Sequence, residues 1–305
     1  MFVGLQFLCF NLWATSDTTQ LKQRNKKLIA LPLVYYSPET TLAFGLVTMN
    51  FFKLSKDEQD TITHTSNIRN ALVYTLNKQV VLDNMVNLLF KENKYWVSTR
   101  FSYLNFPEFY YGIGNDTPDS NEEQVSYQMI NVEARMLKKI YHSWYAGLQF
   151  NYQNMYNVSQ KEGGLLATEQ TTGYTGGTSL GWGLLSIWDK RDNALNSSKG
   201  YYAELSARFF SKNRGSDFDY HMFQWDLRYF KDLTQEKKHI LAFQNVATFM
   251  TGEPPFRRMG ILGGSTIMRG LYQGRFRDRN LLAFQTEYRY QVLDRWALAA
   301  FAATG

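Results

Sequence analysis

The sequence predicts an all-β fold, an antiparallel transmembrane β-barrel, from the length, spacing and sidedness of its segments. We identify thirteen segments, of about 9 to 14 residues each, in which apolar and polar residues alternate between turn residues. A tilted strand needs about 9–11 residues to cross the hydrocarbon layer, whereas strands of soluble proteins average about 5–6. The mean hydropathy of −0.38 suits a barrel whose strands alternate lipid-facing and lumen-facing residues. The alternative is a large soluble β protein.

The predicted strands follow one another along almost the whole chain. They lie near residues 28–36, 41–54, 66–77, 80–91, 94–104, 125–138, 142–155, 174–187, 200–211, 219–231, 237–250, 280–291 and 295–303. In segment 280–291, Leu282, Phe284, Tyr288 and Tyr290 alternate with Gln285, Glu287 and Arg289. Acids and bases that share one face can satisfy each other inside a lumen, while the apolar face meets lipid.

The N-terminal region predicts a targeting segment, residues 1–16, followed by a polar linker, residues 17–27, and a barrel from 28 to 305. Residues 2–14 are apolar apart from Gln6 and Asn11, and small residues follow them. Because the basic start of a signal peptide is missing, we expect the true N-terminus to lie upstream; a buried strand is the alternative. The single cysteine, Cys9, lies in this segment, so the mature barrel is expected to form no disulfide.

Composition argues against several functional classes. The net charge of +6 comes from interspersed residues, 33 basic and 27 acidic, which does not indicate nucleic-acid binding. The 4 histidines are scattered without metal-ligand spacing, and no glycine-rich stretch has the context of a phosphate-binding loop. We therefore expect no enzymatic activity, no metal and no cofactor.

The lengths of the connections predict an orientation. Those from even-numbered to odd-numbered strands are mostly tight, at 91–94, 139–141, 234–237 and 293–294. Several of the others are long, at 105–124, 156–173 and 251–279. Outer-membrane barrels have short periplasmic turns and long outer loops, so the connection between the eleventh and twelfth strands is predicted to be an outer loop.

Four stretches carry a resemblance to a known family. The loop motif is Met268-Arg269-Gly270-Leu271, after Gly263-Gly264-Ser265. A predicted periplasmic turn holds Asp189, Arg191, Asp192 and Asn193, and then Gly200. Residues 35–40 and the Glu287-Tyr288-Arg289 triplet are the other two. Together they resemble the bacterial surface antigen family, whose members include outer-membrane barrel-assembly and two-partner-secretion translocator proteins.

The resemblance implies a sixteen-stranded barrel in which the loop folds into the lumen. Arg269 is then expected to meet Glu287, and a pair held away from bulk water would lock the loop. The family also has an aspartate in the next strand, where this chain has Ala303, so either Glu287 holds the loop alone or Asp294 contributes. With thirteen of sixteen strands, we expect the chain to be part of a longer product, without periplasmic polypeptide-transport-associated domains before the barrel.

Two functions remain open at this stage. In the first, the barrel helps insert or translocate unfolded outer-membrane or secreted polypeptides, with accessory periplasmic or lipoprotein subunits as further partners. In the second, it is a passive pore, an anchor or a surface antigen. Both place the protein in the bacterial outer membrane in contact with lipid.

Overall fold

The chain forms one large antiparallel sheet of thirteen consecutive neighbours. The structure is a computed structural model that describes residues 26–37, 41–55, 62–194, 196–264, 266–293 and 296–305. The predicted signal peptide, Cys9, residues 38–40, Ser265 and Asp294 lie outside these ranges. The sheet comprises β1 (Lys26–Ser37), β2 (Thr41–Phe52), β3 (Ser66–Thr75), β4 (Val80–Phe90), β5 (Tyr95–Tyr110), β6 (Glu123–Tyr141), β7 (Trp144–Ser159), β8 (Gly177–Asp189), β9 (Gly200–Phe210), β10 (Tyr220–Asp232), β11 (His239–Gly252), β14 (Leu281–Leu293) and β15 (Trp296–Thr304).

Each strand pairs with the one before it and the one after it in the chain, so the sheet is a meander. This confirms the predicted all-β antiparallel class and the thirteen strands. Two short strands, β12 (Gly260–Leu262) and β13 (Phe276–Asp278), were not predicted and pair with each other within the connection between β11 and β14. Among the described residues, no helix has both the length and the apolar character needed to cross a bilayer.

The two faces of the sheet differ as the alternation predicts. Large apolar side chains on one face are exposed, among them Met136 at 65%, Leu148 at 61% and Leu184 at 59%. On the other face polar side chains bond across strands: Asn131 donates to Ser102 and Gln153 donates to Asn131. The exposed apolar face suits acyl chains, and the hydrogen-bonded face suits a lumen.

Contacts of one loop segment show that the sheet is curled around it. Strands β5 and β14 are separated by six strands, which in a flat sheet would place them about 34 Å apart at about 4.8 Å per step. Yet Arg277 bonds to Glu108 on β5, while its neighbour Phe276 packs on a cluster that includes Leu281 and Ala283 of β14. The sheet therefore bends until both strands face the same loop.

Several strand boundaries differ from prediction by a few residues, and two of them are informative. Strand β1 begins at Lys26, two residues before the predicted start of the barrel at residue 28. Strand β5 continues to Tyr110, beyond the predicted end at residue 104, because it stays paired with β6 as far as Tyr110 and Glu123. The extension is stabilised by a buried cluster, which consists of Tyr110, Val125, Tyr127, Met129, Met155, Leu166 and Phe256. A short helix, α1 (Leu165–Glu169), and the loop after β11 supply its last members.

The sheet has two distinct ends, which we name by their connections. The turn end carries the connections 91–94 and 190–199, and the loop end carries the long connections 111–122, 160–176 and 253–280. At the turn end, His64 donates its backbone N–H to Asn93, and Tyr145 donates to the carbonyl of Asn93. In outer-membrane barrels short turns face the periplasm, so we expect the turn end to be the periplasmic one.

Candidate functional site: the lumen loop and its anchors

The connection 253–280, here called the lumen loop, is organised by the hairpin of β12 and β13. Gly260 pairs with Asp278 and Leu262 pairs with Phe276, which brings the two halves of the loop together. Glycine is required where they meet: Gly263 has a φ of +102°, and a Cβ there would lie 1.9 Å from the carbonyl oxygen of Tyr272. The glycines of the motif thus allow a close backbone approach.

The loop tip, residues 268–271, points its arginine at the polar face of β14. The Arg269 guanidinium bonds to the Glu287 carboxylate, and Arg289 donates from Nε to the other oxygen of Glu287 at 2.5 Å. The Glu287 side chain is 12% exposed and that of Arg269 is 30% exposed. A single, nearly buried carboxylate therefore binds two partly exposed guanidinium groups.

A second contact of Arg269 comes from the strand where the sequence lacks the expected acid. The guanidinium carbon lies 4.1 Å from the ring centroid of Phe301, a cation–π geometry. Phe301 is the register partner of Glu287, so the ring and the carboxylate lie side by side. Sequence reasoning expected Glu287 alone or Asp294 here; it missed Phe301, and Asp294 lies outside the described residues.

The other tip residues shape the turn. Met268 has a φ of 53°, a left-handed conformation that is uncommon for residues other than glycine, and it packs against the Leu262, Ile267, Leu281 and Ala283 cluster. Gly270 has a φ of +108°, and Leu271 donates its N–H to the Met268 carbonyl at 3.2 Å. Strained backbone of this kind persists where surrounding contacts fix it.

A second anchor, which we call the outer cluster, consists of Glu108, Tyr127, Arg257 and Arg277. Arg277 donates to Glu108 at 3.1 Å, and the Arg257 Nε lies 3.2 Å from the other oxygen of that carboxylate. Tyr127 donates to Glu108 at 3.0 Å. The side chain of Arg277 is 1% exposed, and it also donates to the Phe256 carbonyl at 3.1 Å. Burial with several bonds marks the outer cluster as the more enclosed anchor.

Further contacts hold the lumen loop against the end of β5 near Phe109. Tyr272 accepts the backbone N–H of Phe109 at 2.8 Å, and burial raises the pKa of Tyr272 to about 12. Its phenol therefore stays neutral at physiological pH. Arg275 donates to the Thr117 carbonyl at 2.6 Å and pairs with Asp119, whose carboxylate is 89% exposed.

The predicted turn motif forms a compact structure at the turn end. Arg191 pairs with Asp189 at 2.6 Å, and Asn193 accepts the N–H of Asn196 at 3.1 Å. Gly200 has a φ of +104°, and a Cβ there would lie 2.1 Å from the Lys190 carbonyl oxygen.

Asp192 is the centre of hydrogen bonding in this turn. It accepts bonds from the hydroxyl of Ser198, from the N–H of Ser198 at 2.9 Å and from the N–H of Lys199 at 3.2 Å. Burial alone would raise the pKa of Asp192, but these bonds outweigh burial and hold that pKa below its ordinary range. The charged carboxylate is thus the form that organises the turn.

Arg289 joins the turn to the loop tip. Besides its bond to Glu287, it donates to the Ser197 carbonyl at 3.1 Å. Arg269, Glu287, Arg289 and Ser197 therefore form a continuous chain of hydrogen bonds. Two motifs that are far apart in the sequence meet through one side chain of β14.

The outer cluster was not predicted. No role was predicted for Glu108, Arg257 or Arg277 from the sequence. Arg277 and Glu108 are 169 residues apart in the chain. The only available signal was a glutamate between Pro107 and Phe109 in an aromatic stretch, where a lone acid needs a partner.

Comparison with known proteins identifies one family and several solved structures of similar fold. Residues 59–305 match the model of the Omp85 superfamily domain. The chain is also similar to BamA from Haemophilus ducreyi, in a crystal structure lacking POTRA domains 1–3, with a TM-score of 0.56 and 12% identity. That match covers 92% of this chain and 57% of the BamA chain. A comparison with curated protein sequences gives no match.

Proposed function

This chain belongs to the Omp85 superfamily and forms a bacterial outer-membrane β-barrel, and from that premise we propose that it assists the insertion or translocation of polypeptides. The clients would be unfolded outer-membrane or secreted chains, with accessory periplasmic or lipoprotein subunits as further partners. In this proposal the lumen loop acts as an internal brace, and Arg269 with Met268, Gly270 and Leu271 sets its pose against Glu287.

One observation carries the proposal: the lumen loop is anchored at two levels. At the loop end the outer cluster holds its base, with Arg277 and Arg257 on Glu108. Nearer the middle of β14, Arg269 bonds to Glu287. Removing one partner of such a pair leaves the other charge without a counter-charge. Each pair therefore favours a single position of the loop.

A passive pore, anchor or surface antigen is the second candidate. A pore in which ions diffuse freely needs an open lumen, whereas this loop is fastened to two separate regions of the wall, at Glu108 of β5 and Glu287 of β14. The link from the loop tip to the turn also favours a role at the turn end, where an exported client would arrive. An anchor needs neither feature.

The experiment compares client folding and conductance in the same reconstituted vesicles. An unfolded outer-membrane barrel is added to vesicles containing the full-length protein, and its folding is followed by heat-modifiable gel mobility. We expect faster client folding with the wild type, a strong loss with Arg269→Ala and partial recovery with Arg269→Lys, which keeps the charge. Ion conductance without any acceleration would favour the passive alternative.

A wall variant provides the matched control. Arg100 pairs with Asp83 at 2.6 Å on the polar face of β4 and β5, remote in sequence from the loop. Arg100→Ala removes a guanidinium and an ion pair, just as Arg269→Ala does. Equal loss in both variants would show that activity depends on wall stability alone and would contradict the role proposed for the loop. Gel mobility of the variants themselves verifies that each barrel has folded.

A further inference from the structure

Lysines follow lipid-facing apolar residues at the turn end of the sheet. Lys138, Lys190 and Lys231 each lie two residues beyond an exposed apolar side chain, namely Met136, Trp188 and Tyr229. Lys138 and Lys231 lie in strands, where side chains alternate, so they point to the same face as Met136 and Tyr229. Lys190 directly follows β8, and its ammonium lies over the Trp188 ring. Lys91, in the turn after β4, places its ammonium 5.6 Å from the ring centroid of Tyr95.

These lysines, which we call the lysine collar, carry uncompensated charge. All four are exposed, and none forms a salt bridge with a carboxylate in the part of the chain that the structure describes. At the loop end the matching lipid-facing positions hold uncharged side chains, among them Asn105, Gln128, Thr178 and Phe209. These strand positions at the loop end thus carry no positive charge, and the exposed basic groups Lys78, Lys161, Lys212 and Arg214 at that end lie in the connections between strands.

Aromatic rings complete the collar. The Lys190 ammonium lies 5.9 Å from the Trp188 ring and 5.8 Å from the Tyr201 ring, and the two rings are edge-to-face at 5.3 Å. Trp144 is the register partner of Trp188, with 40% exposure. Tryptophan and tyrosine prefer the level of lipid headgroups, so these rings place the ammonium groups at the depth of the phosphates.

We propose that the lysine collar is a binding surface for the phosphate groups of anionic phospholipids in the leaflet at the turn end. The charges are complementary, because basic groups beside a membrane attract anionic lipid. Each basic residue strengthens the binding constant roughly fivefold. Lysine is suited to this role because its flexible stem lets the ammonium follow a mobile headgroup. The surface lies outside the barrel and is separate from the lumen loop and from any client.

The test measures lipid selectivity at the protein surface. The full chain is reconstituted in phosphatidylcholine vesicles, and the immobilised fraction of spin-labelled phosphatidylglycerol is compared with that of spin-labelled phosphatidylcholine. The wild type is expected to prefer phosphatidylglycerol, with a preference that weakens at high salt. In the variant Lys91→Gln/Lys138→Gln/Lys190→Gln/Lys231→Gln the preference is expected to disappear, because all four ammonium groups are removed.

A charge-matched control separates the collar from overall charge. The control variant Lys78→Gln/Lys161→Gln/Lys212→Gln/Arg214→Gln removes four basic groups from the loop end and is expected to keep the wild-type preference. The same preference in all three proteins would overturn the proposal, and so would equal losses in both variants. If the quadruple collar variant does not fold, Lys190→Glu alone is used, and an unchanged preference there would likewise overturn it.

Discussion

The two anchors of the lumen loop differ in how they hold their arginines. At the outer cluster, Arg277 is 1% exposed and shares the Glu108 carboxylate with Arg257 and the Tyr127 hydroxyl. At the loop tip, Arg269 is 30% exposed and shares Glu287 with Arg289. Aromatic residues enclose the outer cluster. The loop tip is partly exposed to solvent, and its hydrogen bonds continue through Arg289 to the turn at residues 190–199.

The difference suggests a division of roles. Removing one partner of a fully desolvated pair is costly because it leaves an uncompensated buried charge, whereas partly hydrated pairs are weaker and easier to rearrange. The outer cluster is therefore suited to holding the loop permanently. The loop tip, which carries the motif singled out from the sequence, is suited to an adjustable contact.

The largest effect is expected from Glu108→Gln. The substitution leaves two buried guanidinium groups without a counter-charge, so the free energy of unfolding should fall by about 3–5 kcal/mol. Urea titration followed by heat-modifiable gel mobility measures it. Glu162→Gln, at an exposed glutamate in the connection after β7, serves as the control and should leave the transition unchanged. A small effect at Glu108 would remove the contrast between the two anchors.

A smaller loss, of about 1–3 kcal/mol, is expected from Arg269→Ala, because its pair is partly hydrated. The exchange Arg269→Glu/Glu287→Arg is expected to restore little by itself, since the new arginine at 287 would face Arg289. Adding Arg289→Gln to the exchange should improve recovery. Full rescue by the simple exchange would show that Arg289 does not share the site. Unfolding midpoints of the single, double and triple variants decide between these outcomes.

Asp192→Asn should lower stability by about 1 kcal/mol at neutral pH, through weaker hydrogen bonds in the periplasmic turn. Because the folded-state pKa of Asp192 is lowered, its contribution is present above the unfolded-state value of about 3.9 and is lost as the pH falls through the folded-state value. The difference between wild type and variant should therefore shrink in acid. Urea midpoints at neutral pH and below about pH 3.9 test this prediction. A difference that stays constant with pH would contradict a stabilising role for the charge on Asp192.

The smallest effect is expected from Asp119→Asn. The carboxylate of Asp119 is 89% exposed, and exposed pairs contribute about 0–1 kcal/mol. Arg275 keeps its bonds to Thr117 after the substitution. A loss comparable to that of Glu108→Gln in the same urea titration would mean that burial does not rank the anchors of this loop.

Much of the fold was predictable because alternation in a strand is a local property. The exposed face of β10, with Phe223, Leu227 and Tyr229, could be read from the order of residues alone. The position of Glu287 on the polar face followed from the same alternation. The aspartate expected in the next strand is replaced by Ala303. Phe301 instead contacts Arg269, and nothing about a phenylalanine at that position predicts such a contact.

The outer cluster could not be predicted, since it depends on how far the sheet curls. Glu108 and Arg277 meet only because six intervening strands bend and bring β5 towards the loop after β11. The link from Arg289 to Ser197 has the same origin.

The sequence by itself determined the strands, their sidedness and the glycines at which the lumen loop turns, because each depends on neighbouring residues and on backbone sterics. Only the tertiary structure decided which charges meet, because pairing across a lumen depends on curvature and register summed over many strands. The motif around Arg269 marked the loop, and the curled wall supplied Glu108, Phe301 and Arg289 as the partners that hold it.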